Sequence, residues 1–214
     1  VPKDVLQLQF VMPDINVQVG KDASDTRKKQ SNEVSRYCTE QLNKFLRNYK
    51  LALESSTKKG GVRTIVIDTA TELKDLRAAS EFGMLTGIMP EAWGGVNQDM
   101  RNWMRMGEQY KANVVWVHHV KDEWLQYTKP DGNKDSAATG KKILDGYKKA
   151  DQCVQVVLEA GVRGDKFTIK VVGSGLNPST NGKLYTEADW GDEDGPFAYI
   201  SQQQLPWTKI EDWI

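Results

Sequence analysis

Thr64-Ile65-Val66-Ile67-Asp68-Thr69 is the stretch on which the fold turns. It follows Lys58-Lys59-Gly60-Gly61, which ends a helix, and its apolar β-branched residues predict a short strand closed by a carboxylate. A continuous apolar strand suits a parallel sheet buried on both faces. An acid at the carboxyl end of such a strand projects into the crevice where open α/β sheets bind ligands. The same pattern also suits a plain strand end, with Asp68 capping the helix that follows.

Working upstream, Val34, Cys38, Leu42, Phe45, Leu46, Tyr49 and Leu53 recur at steps of three and four, which predicts a long helix over 31–55. Lys21 to Gln30 reads as a charged loop, in which Arg27-Lys28-Lys29 is a solvated run, and residues 4–12 alternate as a β-prone strand broken by Pro13. Downstream, Leu73 to Phe82 reads as a helix and Gly83 to Gly95 as a loop. Val96, Met100, Trp103, Met104 and Tyr110 mark another amphipathic helix, and Asn113-Val114-Val115-Trp116-Val117-His118-His119 a second buried strand. This alternation predicts an α/β fold with a mostly parallel central sheet flanked by helices.

Val120 to Lys142 is rich in Gly, Lys and Asp and reads as a long functional loop. Gln152 to Glu159 and Phe167 to Val172 read as a hairpin that extends the sheet in an antiparallel sense. The expected organisation is one core over residues 1–185 and an acidic, Trp-rich segment over 186–214, with Trp190, Trp207 and Trp213 packing the segment onto the core. A docking tail for a neighbouring subunit or another protein is the alternative for that segment.

The 214 residues, 39% of them hydrophobic, suffice to bury a core without disulfide staples. Cys38 and Cys153 form neither a disulfide framework nor a zinc motif. Lys plus Arg and Asp plus Glu each number 29, so any affinity for nucleic acid has to come from a local patch. There is no long apolar run and no secretory signal at Val1-Pro2-Lys3-Asp4, so a soluble cytoplasmic protein without a membrane partner is expected. Val1 leads almost at once into a strand-like run, which creates the expectation of further sequence upstream.

Three segments in order carry a resemblance: Asp68-Thr69-Ala70-Thr71-Glu72-Leu73, Trp93-Gly94-Gly95-Val96-Asn97-Gln98-Asp99-Met100-Arg101 and Asn113-Val114-Val115-Trp116-Val117-His118-His119-Val120-Lys121-Asp122-Glu123. With Ala150-Asp151, the strand at 167–172, Asn177-Pro178 and Glu211-Asp212-Trp213, this order resembles phage RecA-like ATPases of the P-loop (AAA-type) NTPase class linked to single-strand annealing and recombination. The resemblance covers most of the chain from about Val62 onward. It implies a RecA-like core that binds ATP with Mg²⁺ between subunits of a ring or filament and grips single-stranded DNA in the host-cell cytoplasm, with a single-strand-binding protein as a further partner. By the same resemblance Asp68 is the metal-associated acid with Thr69 beside it, and His118 or His119 occupies the position that registers the γ-phosphate. Alternation along a strand lets only one of the two histidines face the nucleotide. Ordinary hydrogen bonding at a strand end is the alternative for the pair.

The chain departs from that family in two places. It contains no Gly-x₄-Gly-Lys-Ser/Thr cradle, whose amides, lysine and hydroxyl dominate triphosphate binding. Gly132 to Lys142 has the wrong glycine spacing, and Lys142 stands where Ser or Thr is required. A water-orienting glutamate is also missing after the first strand, where Gln9 and Phe10 stand, which leaves Asp14 and Glu72 as the nearest carboxylates. An ATPase core inactive as it stands is therefore expected. A non-catalytic binding module that keeps the fold is the alternative. For the nucleic acid, the 120–142 segment offers Lys121, Lys129, Lys134, Lys141 and Lys142 to phosphates and Trp124 and Tyr127 to bases. Asp122, Glu123, Asp131 and Asp135 dilute that charge, and a solvated surface loop is the alternative.

Overall fold

A computed structural model describes residues 23–84, 88–110, 112–190, 199–200 and 203, with side chains from Ser31 onward. The strand expected at residues 4–12, Asp14, Arg27-Lys28-Lys29 as side chains, Trp207 and Trp213 lie outside the described residues. The chain divides into two compact units, residues 1–148 and 149–214. The boundary expected after residue 185 falls within a strand of the second unit. Among the described residues, no helix is long and apolar enough to cross a membrane.

Helix α1 (Ala23–Ser56) buries Val34, Cys38, Leu42, Phe45, Tyr49 and Leu53, the stripe that its spacing predicts. The helix begins at Ala23, where a charged loop was expected. The eight residues from Ala23 to Gln30 contain neither Gly nor Pro, and Arg, Lys and Gln are good helix formers, so the helix extends beyond its apolar stripe. Strand β1 (Thr64–Ile67) is followed by α2 (Ala70–Phe82), a 3₁₀ turn, α3 (Trp93–Met106) and β2 (Asn113–Trp116). Helix α1 packs against α2, where Ser35 donates its hydroxyl to the Ser80 carbonyl (2.6 Å) and Ser31 donates to that of Phe82 (3.4 Å). Gly83, at φ +60°, ends α2 against Ser31, where a β-carbon would collide with the serine hydroxyl and backbone. Arg77 of α2 ties α3 through Asp99 (2.7 Å) while also reaching Glu81 (2.7 Å).

Strands β1 and β2 pair in parallel, Ile65 opposite Val114 and Ile67 opposite Trp116. These four residues share one face. On it Tyr49 of α1 meets Trp116 edge-on at 5.8 Å. A β-carbon on Gly107, just after α3, would lie 2.8 Å from Val114 Cγ2, so only glycine allows this approach. The opposite face is not buried as expected, since Val66 remains 58% exposed. An apolar β-branched run satisfies the pleat whether one face or both are covered, so composition could not tell the two cases apart. Among the described residues the parallel sheet has two strands, and the fold is mixed α/β with small sheets.

The segment 120–142, expected as a loop, is an antiparallel hairpin of β3 (His119–Thr128) and β4 (Lys134–Asp145). Its polar sequence hid the strands because neither face is buried, so the period-2 signal of hydrophobic-in, polar-out never arises. Most of its residues are exposed, including Val120, Trp124, Leu125 and Tyr127. The pairing is interrupted between Asp122 and Trp124, where Gly140 adopts φ +76°.

The second unit carries β5 (Val156–Arg163), β6 (Lys166–Ser174) and β7 (Leu184–Thr186) in a three-stranded antiparallel sheet. The expected hairpin is present, with its turn shortened to Gly164-Asp165. It pairs with β7 in a sheet of its own instead of extending the parallel sheet. Ile169, Val171, Tyr185 and Ile200 form its core. Trp190, in the short helix α4 (Glu187–Trp190), rests on Phe167 at 6.2 Å, so this tryptophan of the expected tail packs onto the sheet.

Candidate functional site

The parallel pairing continues past the strand ends: the Val117 amide donates to Ile67 (3.0 Å) and the Ala70 amide to Val117 (2.7 Å). This brings Asp68, Thr69 and the start of α2 beside the chain leaving β2. Asp68 is exposed at the carboxyl end of β1, and the Asp68–Thr69 peptide is cis. Thr69, and not Asp68, caps α2: its buried hydroxyl accepts from the Glu72 amide at 3.2 Å. Glu72 itself is exposed in the first turn, where a carboxylate opposes the positive end of the helix. Thr69→Ala is expected to cost about 1 kcal/mol of stability, read from urea unfolding. A change within experimental error would show that the cap contributes nothing.

The two histidines differ as alternation requires. His119 opens β3 and is exposed, whereas both ring nitrogens of His118 are buried. Neither nitrogen makes a well-formed hydrogen bond to the described residues. Burial pushes the His118 imidazole below its ordinary pKa, which the Asp145 carbonyl nearby opposes more weakly. The ring lies against Gly146, where a β-carbon would come within 3.1 Å of Nδ1. His118 is thus packed under the base of the hairpin.

Thr71 joins these parts. Its buried hydroxyl donates to the Asp145 carbonyl at the end of β4 and accepts from the His119 amide (3.1 Å) at the start of β3. One turn along α2, Lys74 Nζ donates to the Gly146 carbonyl (3.0 Å) and lies 5.1 Å from the Trp93 ring centroid. Burial lowers the Lys74 pKa. Lys121 pairs with the Asp145 carboxylate at 2.6 Å and holds it below the usual carboxylate range.

On the hairpin, Lys129 pairs with Asp135 (2.7 Å) and Lys142 with Asp122 (2.8 Å). Among the described residues, Lys134 and Lys141 form no ion pair. Trp124 and Tyr127 are both exposed and, three residues apart on one strand, face opposite ways. Trp124 and Tyr127 therefore expose one ring on each face of the hairpin, and three of its five lysines stand beside a carboxylate.

Among the described residues, no three His, Cys, Asp or Glu side chains gather as a metal cluster. Asp68 contributes one exposed carboxylate at this strand end. Thr71, Lys74, Asp145 and Gly146 escaped sequence reading because the contacts joining them span more than 70 residues. The fold and this site define a mixed α/β protein with a carboxylate at a parallel strand end and a projecting hairpin beside it. Comparison with family models, curated proteins and solved structures finds no match.

Proposed function

We propose that the chain is the core of a RecA-like P-loop ATPase of phage recombination and single-strand annealing, coupling a nucleotide at Asp68 to single-stranded DNA on the β3–β4 hairpin. The observation that carries this reading is the juxtaposition of Asp68, exposed at the carboxyl end of parallel β1, with the chain that leaves β2 directly for the hairpin. Ligands of open α/β sheets bind at that edge. Asp68 would hold Mg²⁺ through water or directly, and the metal would neutralise charge on the phosphates of ATP. Exposed His119 reaches solvent at the same strand end, while His118, with its ring nitrogens buried, lies under the hairpin base. Trp124 and Tyr127 offer faces on which bases stack, and Lys134 and Lys141 are the cations free to meet phosphates. Assembly as a ring or filament in the host cytoplasm, with a single-strand-binding protein as a further partner, belongs to the same reading.

The missing Gly-x₄-Gly-Lys-Ser/Thr cradle makes negligible ATP turnover the expected result for these 214 residues, together with quenching of tryptophan fluorescence by an oligothymidylate. Turnover that Asp68→Ala abolishes would overturn the expected inactivity. Absence of quenching would overturn the DNA assignment.

A second reading, a non-catalytic module that keeps the fold for binding, is favoured by the occupation of the Thr69 hydroxyl as a helix cap. Oligothymidylate binding indifferent to both Mg-ATP and Asp68→Ala would select it.

A further inference from the structure

We propose that Thr71 is the positioning residue through which a ligand held by the hairpin is felt at the Asp68 strand end. The inference rests on the DNA reading above and adds the residue that links its two halves. A two-stranded hairpin with both faces in water has little stability of its own, so its orientation depends on how its base is fastened. Here the base is fastened at both strands by one side chain: the Thr71 hydroxyl donates to Asp145 and accepts from the His119 amide. Thr71 is buried, and it sits two residues after Thr69, whose hydroxyl caps the same helix. Any pull that shifts β3 against β4 is therefore delivered to the first turn of α2, which only the capping Thr69 separates from Asp68.

Two further contacts act on the same base. Lys74 bonds the Gly146 carbonyl from the next turn of α2, and the Lys121–Asp145 pair closes the strands outside. Gly146 has φ +134°, and a β-carbon there would lie 3.1 Å from His118 Nδ1 and 3.5 Å from the Thr71 α-carbon. This crowding makes the junction stiff, and stiff contacts transmit displacement better than flexible ones. Coupling between sites is reciprocal, so any change that DNA makes in the affinity of a ligand at the start of α2 is matched by the change that ligand makes in the affinity for DNA.

The test follows amide hydrogen exchange with and without an oligothymidylate, alongside tryptophan quenching as the measure of binding. In the unaltered protein the oligonucleotide is expected to quench fluorescence and to slow exchange at His119 and along residues 70–73. Thr71→Val keeps the shape but removes the hydroxyl. It should raise the exchange rate of the His119 amide about 2- to 10-fold and leave quenching intact, while the slowing along 70–73 disappears. Thr71→Ser should restore that slowing, which a loss of stability alone would not predict. Gly146→Ala, strained by the φ of +134° and tight against the His118 ring, disturbs the hairpin base without altering Thr71; it should abolish the slowing too and serves if the valine variant fails to fold. Slowing along 70–73 that survives in folded Thr71→Val or Gly146→Ala, or that never occurs although quenching does, overturns the coupling alone. Absence of quenching removes the DNA reading and the coupling together.

Discussion

Replacing Leu73 by alanine lowers the free energy of unfolding by about 2–5 kcal/mol, the range for truncating a fully buried leucine. Leu73 has no exposed surface and sits in the first half of α2, between Thr71 and Lys74. Helix α2 packs on both α1 and α3 and starts from the end of β1, so a cavity here weakens the junction that holds Asp68. With whole domains stabilised by only about 5–15 kcal/mol, the variant should unfold at markedly lower urea or not fold at all. A loss below about 1 kcal/mol would mean that α2 is not the centre of the first unit's core.

If the hairpin holds single-stranded DNA as proposed, replacing Trp124 by alanine is expected to weaken binding of an oligothymidylate by about 1–3 kcal/mol, the contribution of one stacked base, or roughly 5- to 150-fold in Kd. Trp124 is 61% exposed on β3, so its removal should change stability by no more than about 0.5 kcal/mol and the loss can be assigned to binding. The same reading sets an expected salt dependence. Lys121, Lys129 and Lys142 are neutralised by Asp145, Asp135 and Asp122, which leaves Lys134 and Lys141 on the hairpin. Two phosphate contacts to a single strand give a slope of about −1.4 in log K against log salt. Affinity unchanged in Trp124→Ala, or a slope steeper than about −3, would show that stacking on this hairpin is not what holds the strand.

How far the sequence could be read depended on which side chains are buried. The α1 stripe from Val34 to Leu53 and the α3 stripe from Val96 to Met104 were legible because packing on one side imposes the helical period. The hairpin was not, since Trp124, Leu125 and Tyr127 stay in water and no alternation of burial marks the strands. The sequence offered the lysines of 120–142 to phosphates, but the pairing of Lys121, Lys129 and Lys142 with Asp145, Asp135 and Asp122 depends on cross-strand register and on a bulge that composition does not encode. Asp68 and Thr69 stood out as a strand end before a helix, yet which of the two caps the helix was decided by backbone geometry.

By itself, the order of apolar runs determined a parallel β1–β2 pair with helices between them, and an acid at the end of β1. Burial of repeated apolar side chains is a local, periodic demand that one chain segment states alone. Only the tertiary structure decided that Thr71 grips both strands of the hairpin, that His118 lies beneath it while His119 reaches solvent, and that three hairpin lysines are already partnered. Those facts belong to contacts between distant segments, where a hydroxyl or a carboxylate finds its partner only after the backbone has set the distance.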